Sequence, residues 1–368
     1  MKRVLLCLLC VSLFSLSARA ADAAPAAASA GAMILVHPGS GTVLVSKNAD
    51  EPMLIASTTK LMTALTAIRL LDPDACVEIR PEWTQVEGSS MYLRPGESYT
   101  VRELLQGLLL ASGNDAALAL AAAAAGDTER FVARMNEEAA ALGLTNTHFV
   151  NPHGLDSPGH HSTAADLARL MEAAMDSEPL REIMAERNCT VHGLVYENHN
   201  KLLRSCPGVC AGKTGYTAAA GRCLVTCCRR DGLELICVTL SDRDDWNDHT
   251  ALYDWAFAHY RPFSVSAGEE LACVPVLSGD PASADLTADR DLSLCVPADS
   301  KVQIRCSLPE FVFAPLGCGD PAGEWTVCVD GRPAGHGKLV CARDVLRART
   351  AVPGLREVID RFIGIYCV

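Results

Sequence analysis

Three short stretches of this chain carry side chains that could make and break a covalent bond. The first is Ser57-Thr58-Thr59-Lys60. Leu61, Met62, Leu65 and Ile68 follow at helical spacing, which predicts a buried helix beginning near Ser57. Positions three apart share a helix face, so Lys60 is expected beside Ser57. A serine at a helix start sits near free N–H groups and the positive end of the dipole. A hydroxyl beside an amine held off bulk water is an activated nucleophile in outline. The alternative is an ordinary N-cap serine and a solvated lysine, the commoner case for an isolated Ser-x-x-Lys. The second stretch, Ser112-Gly113-Asn114, lies between two helical patterns. A glycine there would let the chain turn sharply and present both polar side chains to a cleft; the plainer reading is a loop with Asn114 as a cap. The third, Lys213-Thr214-Gly215, precedes a pair of strand-like runs. On a sheet edge it would offer an ammonium, a hydroxyl and, through Gly215, backbone room for an extended ligand; otherwise Lys213 is a turn lysine. Each stretch alone is weak, and the ordered set is specific.

The elements that must position them read as follows. Residues 32–36 and 42–46 are β-like about the turn Pro38-Gly39-Ser40-Gly41, a hairpin. Residues 101–110, the nearly all-apolar 116–125, and 128–142 closed by Gly143 are helical. A Gly/Pro/His-rich loop spans 151–161, and its His153, His160 and His161 are read as hydrogen-bonded scaffold in preference to metal ligands. Thr163 with Asp166 resembles a capping box. Residues 222–228 and 233–240 read as a hairpin of a central antiparallel sheet, and 245–260 as a helix carrying Trp246, Trp255 and Phe257. Past Pro262 short β-like runs broken by Gly, Pro and Asp suggest a small β-sandwich as a separate domain. The tail places Leu355, Val358, Ile359, Phe362 and Ile363 on one face. It would lie on a membrane surface or dock on its own domain, with Arg356 and Arg361 offset by Glu357 and Asp360.

The chain of 368 residues has room for two domains and a sizeable core. Its apolar content of 49% reads as globular, and its formal charge of −12 without a basic cluster argues against a nucleic-acid partner. Lys2 and Arg3, an apolar run over 4–16 and Ala18-Arg19-Ala20 form an export leader with its cleavage site. Of 17 cysteines, Cys7 and Cys10 belong to that leader. Disulfides are open to an exported chain, Cys206 and Cys210 being close enough in sequence to pair. Cysteines in apolar positions, such as Cys223, Cys227 and Cys237, read as small hydrophobes. No paired Cys-x-x-Cys is present, which argues against zinc.

Taken together, the three stretches resemble those of low-molecular-mass penicillin-binding proteins of the D-alanyl-D-alanine carboxypeptidase family. Asn151-Pro152-His153-Gly154-Leu155, His161 through Asp166, Asn198-His199-Asn200-Lys201-Leu202-Leu203 and Gly212 through Thr217 are similar to that family as well, over roughly residues 30 to 262. The resemblance implies an α/β (α+β) serine-transpeptidase/β-lactamase-like fold, an antiparallel sheet flanked by helices, with a small β-sandwich domain following. It implies this organisation: signal peptide 1–20, lead-in 21–30, catalytic domain 31–262, β-rich domain 263–350, and amphipathic tail 351–368.

It also implies roles. Ser57 attacks the carbonyl between two D-alanines of a peptidoglycan stem peptide, and Lys60 accepts its proton. Ser112 relays a proton and Asn114 holds the substrate backbone. Lys213, Thr214 and Gly215 bind the terminal carboxylate and the extended chain, and backbone N–H groups of Ser57 and Tyr216 form the oxyanion hole. β-Lactams inhibit as mimics. Neither metal nor cofactor is required, and the setting is extracytoplasmic, in the wall or on the outer face of the membrane. Three departures stand out. The segment Ser241-Asp242-Arg243-Asp244-Asp245-Trp246 is acidic where relatives carry an arginine, leaving Arg243 as a substitute. Tyr216 stands where some relatives carry a histidine. Cys210-Ala211 stands where Asp-Gly is common. The rival expectations are a serine β-lactamase, which should carry a Glu-x-x-x-Asn loop not found between Ser112 and Lys213, and an inactive wall-binding homologue.

Overall fold

The computed structural model describes residues 24–25 and 29–348; the expected leader and tail lie outside them. Strands β1 (Ala32–His37) and β2 (Thr42–Lys47) form the expected hairpin. Helices α1 (Lys60–Leu70), α2 (Val101–Leu109), α3 (Asn114–Ala125), α4 (Thr128–Ala141), α5 (Ala164–Asp176) and α6 (Glu178–Ala185) come next. Strands β3 (Val209–Thr217), β4 (Gly221–Arg230) and β5 (Leu233–Leu240) then lead into α7 (Asp245–His259).

The five strands make one antiparallel sheet in the order β2-β1-β5-β4-β3. Side chains alternate across a strand, and β5 shows why it is central. Ile236, Val238 and Leu240 join the large core shared with α1–α6, whereas Leu233, Leu235 and Cys237 join a second core under α7. The β4–β5 turn is Asp231-Gly232, with φ of 48° and 80°. A tight two-residue hairpin demands such left-handed residues, so β4 reaches two residues further into the turn than the sequence reading had it, while β5 starts at Leu233 as read. Strand β3 is the sheet edge, as expected for the Lys213 stretch.

Helix starts follow the cap chemistry. Thr100 and Glu103 form a full capping box at α2 that sequence reading passed over. At α5 only half of the expected box forms. Thr163 accepts from the Asp166 N–H, but the Asp166 carboxylate is spent on the Asn146 N–H, Thr147 and Arg169.

Helix α7 runs directly into a strand, Tyr260–Val265, which pairs with Leu292–Pro297. Over it lies a six-stranded sheet: Val302–Ser307, Pro321–Val329, Arg332–Cys341, Ser283–Ala288, Glu270–Leu277 and Val312–Phe313. The two layers share one core in which Val265, Leu294 and Val296 meet Val274, Leu339 and the fully buried Trp325. This is the β-rich second unit anticipated. Its strand Ser283–Ala288 escaped the sequence reading because only small residues and one leucine, Ala284, Leu286 and Ala288, mark its inner face.

Candidate active site

Ser57 lies in a single 3-10 turn, Ala56–Thr59, that feeds into α1. The residue before it, Ala56, is left-handed at φ 47°, a conformation costing an ordinary residue about 1–2 kcal/mol. Such strain persists only where its surroundings enforce it, and here two neighbours do. Gly154, itself at φ 87°, packs so closely that a Cβ would stand 2.0 Å from the Ala56 carbonyl oxygen. Thr63 fixes the same loop by donating to the Pro152 carbonyl at 2.5 Å.

One turn on, Lys60 is fully buried. Its Nζ lies 2.9 Å from Ser57 Oγ, 2.7 Å from Asn114 Oδ1 and 2.7 Å from the His153 carbonyl oxygen. Burial first, and then the Lys213 ammonium, hold its pKa well below the ordinary lysine value, while Asp115 pulls the other way. The three partners fit a neutral amine. Two of them are carbonyl oxygens that can only accept, so they take its two N–H groups. The remaining lone pair faces the one partner able to donate, the Ser57 hydroxyl. This is the geometry of a base poised on its nucleophile.

Ser112 is brought to the same place by its own backbone. Its φ is 60°, whereas Gly113 sits at φ −58°, so the sharp turn expected of the glycine is made by the serine. Gly113 is needed for space, since a Cβ there would meet Asp115 Oδ1 at 2.8 Å and the Met91 N at 3.1 Å. The buried Asp115 carboxylate ties this loop to its neighbour, accepting from Ser90 Oγ at 2.6 Å and from the N–H groups of Met91 and Leu93 at 2.9 and 3.1 Å. Asn114 is the first residue of α3, not its cap. It uses both ends inside the protein, Oδ1 on Lys60 and Nδ2 on the Glu87 carbonyl at 2.6 Å.

Lys213 is also buried; it donates to Ser112 Oγ at 3.0 Å and to the Thr214 carbonyl at 2.8 Å. Burial brings its pKa down to about 7. Gly215 has a different use from the one its sequence suggested. A Cβ there would meet the Ile55 carbonyl and the Ser57 N at 3.0 Å, so the glycine lets the edge strand close on the nucleophile's backbone. His160 is scaffold, as read. It shares a hydrogen bond of 2.8 Å with Thr59 and accepts from the Val150 N–H, and burial depresses it to about 4.

A cavity of about 300 Å³ opens on this group, lined by Ser57, Ser89, Ser112, His199, Lys201, Thr214, Gly215, Tyr216, Arg222, Asp245 and Trp246. All eight residues singled out from sequence converge here. Lys60, Asn114 and Lys213 stand behind the wall, and the others form it. Arg243 is exposed and is not among the lining residues; the arginine at the cavity is Arg222. It arrives from β4, directly across from Tyr216 on β3. Its Nε and Nη2 donate to Asp245 Oδ1 at 2.9 and 2.6 Å, and its guanidinium lies 5.3 Å from the Trp246 ring centre. Sequence reading took Arg222 for a strand start. The hairpin register, which sets 216 against 222, was the signal that would have found it.

A family model described as D-alanyl-D-alanine carboxypeptidase matches residues 18–244, and one described as the C-terminal domain of penicillin-binding protein 5 matches residues 263–347. The chain is 30% identical to the D-alanyl-D-alanine carboxypeptidase DacF of Bacillus subtilis over 338 residues, 87% of this chain and 86% of that protein. It is 38% identical to DacB2 of Mycobacterium tuberculosis over 231 residues, 60% of this chain and 79% of that one. Among solved structures, penicillin-binding protein 5 from Haemophilus influenzae superposes with a TM-score of 0.75 at 29% identity, covering 87% of this chain and 98% of its own.

Proposed function

This chain belongs to the D-alanyl-D-alanine carboxypeptidase family and is a serine peptidase, and from that premise we propose how its own residues cleave the bond. The observation that carries the reading is the buried Lys60 amine on Ser57, with two obligate acceptors leaving its lone pair for the hydroxyl. Lys60 takes the proton as Ser57 attacks the carbonyl between the two D-alanines of a stem peptide. The N–H groups of Ser57 and Tyr216 hold the oxyanion, a contribution worth about 3–4 kcal/mol per donor in such sites. Ser112, backed by the Lys213 ammonium, passes a proton to the leaving amine. Water then releases the acyl group.

Three roles differ from those the family resemblance implied. Asn114 orients Lys60, since its side chain is committed on both sides. Lys213 acts on the carboxylate from behind the wall, through Ser112 and its field. Direct contact with the terminal carboxylate falls to Thr214 and Arg222, which line the cavity. Lys201 and Arg222 outnumber Asp245 among the charged lining residues, so an acidic chain offers a locally positive pocket to an anionic peptide end.

β-Lactams acylate Ser57 as mimics of the same substrate, the peptide belongs to peptidoglycan, and the enzyme works outside the cytoplasm after loss of residues 1–20. We assign residues 31–262 to catalysis and 263–350 to the β-rich domain. The apolar residues of the segment 351–368 support peripheral membrane contact, which co-sedimentation with vesicles, with and without that tail, tests.

The test of the chemistry is intact mass after exposure to benzylpenicillin, with Ser57→Ala alongside, followed by D-alanine release from a stem pentapeptide. One penicilloyl adduct on the native chain, none on the variant, and D-alanine release support the assignment. Rapid drug loss without an adduct makes it a β-lactamase; peptide binding with no release makes it a wall-binding scaffold.

A further inference from the structure

Sequence proximity pointed to Cys206 with Cys210. The fold separates them and sets each against β4. Cys206 and Cys228 lie in one core and both approach the Pro207 carbonyl, at 4.0 and 3.6 Å, while Cys210 Sγ donates to the Cys227 carbonyl at 3.6 Å. Cys206 closes the single helical turn Leu202–Ser205 before β3. Cys210 is the bulged residue of β3, between the pairings Val209↔Cys228 and Ala211↔Cys227.

Cys227 and Cys228 are neighbours on one strand, so their side chains leave on opposite faces. Cys227 enters the large helical core with Cys210 packed against it, and Cys228 enters the core under α7 together with Cys206. One thiol pair therefore sits on each face of the sheet, at the root of the edge strand that carries Lys213 and Thr214. Cys223 and Cys237 contrast with them as buried apolar side chains, the small-hydrophobe role read from sequence.

We propose that, in an oxidising compartment, these thiols form two disulfides, Cys206–Cys228 and Cys210–Cys227, pinning β3 to β4 on both faces. The inference rests on the export reading for its compartment and on the geometry for its pairing. The oxidant is a small or protein disulfide outside the membrane. For each bridge, one protein thiolate attacks a sulfur of that disulfide, forming a mixed disulfide and expelling one thiolate. The paired protein thiol, losing its proton to water, then attacks the mixed disulfide and expels the second. Two protein thiols are oxidised and one disulfide is reduced to two thiols. Arg230 donates to Cys206 Sγ at 3.3 Å, which favours Cys206 as the first attacking sulfur of its pair. Because Cys206 is buried in the finished fold, its bridge closes while the sheet edge is still forming.

Trypsin provides a direct test, since residues 205–213 hold both Cys206 and Cys210 while 223–229 hold Cys227 and Cys228. The full chain is refolded with glutathione disulfide in excess, alkylated without reduction and mapped by mass. The expected product is the two peptides joined, lighter by four hydrogen atoms than the sum of 205–213 and a 223–229 peptide alkylated once, at Cys223. Two matched variants, Cys210→Ser with Cys227→Ala and Cys206→Ser with Cys228→Ala, should each keep a single link. The mismatched variant, Cys206→Ser with Cys227→Ala, should keep none. Separate, fully alkylated peptides from the native chain overturn the proposal, as does a link that survives in the mismatched variant. The same map on protein recovered outside the cell separates the two premises. Absence of processed chain there defeats export and leaves the refolding result standing, whereas processed chain with free thiols defeats the disulfides.

Discussion

Replacing Arg222 by Gln should damage cleavage in a way that depends on the charge of the substrate's last atom group. Arg222 commits Nε and Nη2 to Asp245, which leaves Nη1 without a protein partner among the described residues. One charge-assisted hydrogen bond to a carboxylate contributes about 1.5–3 kcal/mol. The side chain is 40% exposed, so water screens it and the lower figure applies. At about 1.4 kcal/mol per decade, kcat/KM for a stem peptide ending in a free carboxylate should fall about tenfold. The same peptide with its terminal carboxylate amidated should be cleaved equally by both proteins, because it offers no anion. Asp245→Asn bears on the same point with opposite sign. It removes the competing carboxylate, and the free-acid peptide should then be cleaved at least as well as by the native enzyme. The assay is D-alanine or D-alanine-amide release at low substrate concentration, with melting temperatures checked alongside. An equal loss on the acid and the amide would refute the reasoning, since Arg222 would then be supporting the wall and not reading the charge.

Other perturbations have equally definite outcomes. The acylation rate with benzylpenicillin should rise with pH as Lys60 loses its proton, well below the ordinary lysine range, and fall as Lys213 discharges near pH 7; the falling limb should vanish from the residual rate of Lys213→Gln. Gly215→Ala, whose Cβ would press on the Ser57 N at 3.0 Å, should slow acylation by about a hundredfold while leaving melting little changed, because a small displacement of reacting groups is that costly. Gly154→Ala combines φ 87° with a 2.0 Å clash on Ala56 and should instead lower stability by about 3 kcal/mol or more, measured by urea unfolding. Reducing both proposed bridges together should cost about 3 kcal/mol or more of stability, as opening a loop of that length does, whereas Cys273→Ser, at an exposed cysteine, should change nothing.

The parts of this site that repeat along one element were legible in the sequence. Ser57 and Lys60 share a helix face, and that face was marked by Leu61, Met62 and Leu65. Strand periodicity exposed β4 and β5, and the loop between helices exposed Ser112. What sequence could not supply was anything set by two segments approaching in space. Gly113 was assigned a sharp turn because glycines often make one, and Gly215 was assigned room for an extended ligand. The fold uses both for clearance, and gives the left-handed turn to Ser112 and Ala56 under pressure from packing that no local pattern encodes. Asn114 looked outward until its two partners, Lys60 and the Glu87 carbonyl, arrived from either side. Arg222 lies nine residues past Lys213, yet stands at the cavity because β3 and β4 are hydrogen-bonded. The cysteines followed the same rule, since sequence neighbours on a strand point apart and partners come from the next strand.

The position of β3 at the border of its sheet has a consequence for what the enzyme can distinguish. Among the described residues its outer ladder of N–H and C=O groups has no neighbouring strand, so a guest chain laid there would be held through main-chain atoms that every peptide shares. Recognition of that kind is indifferent to side-chain identity and sensitive to handedness and to where the chain stops. An enzyme built this way would accept wall peptides that vary in their middle residues and reject those whose ends differ. The same open border is what a second copy of the protein could pair with, and the bulge at Cys210 makes the start of that strand irregular.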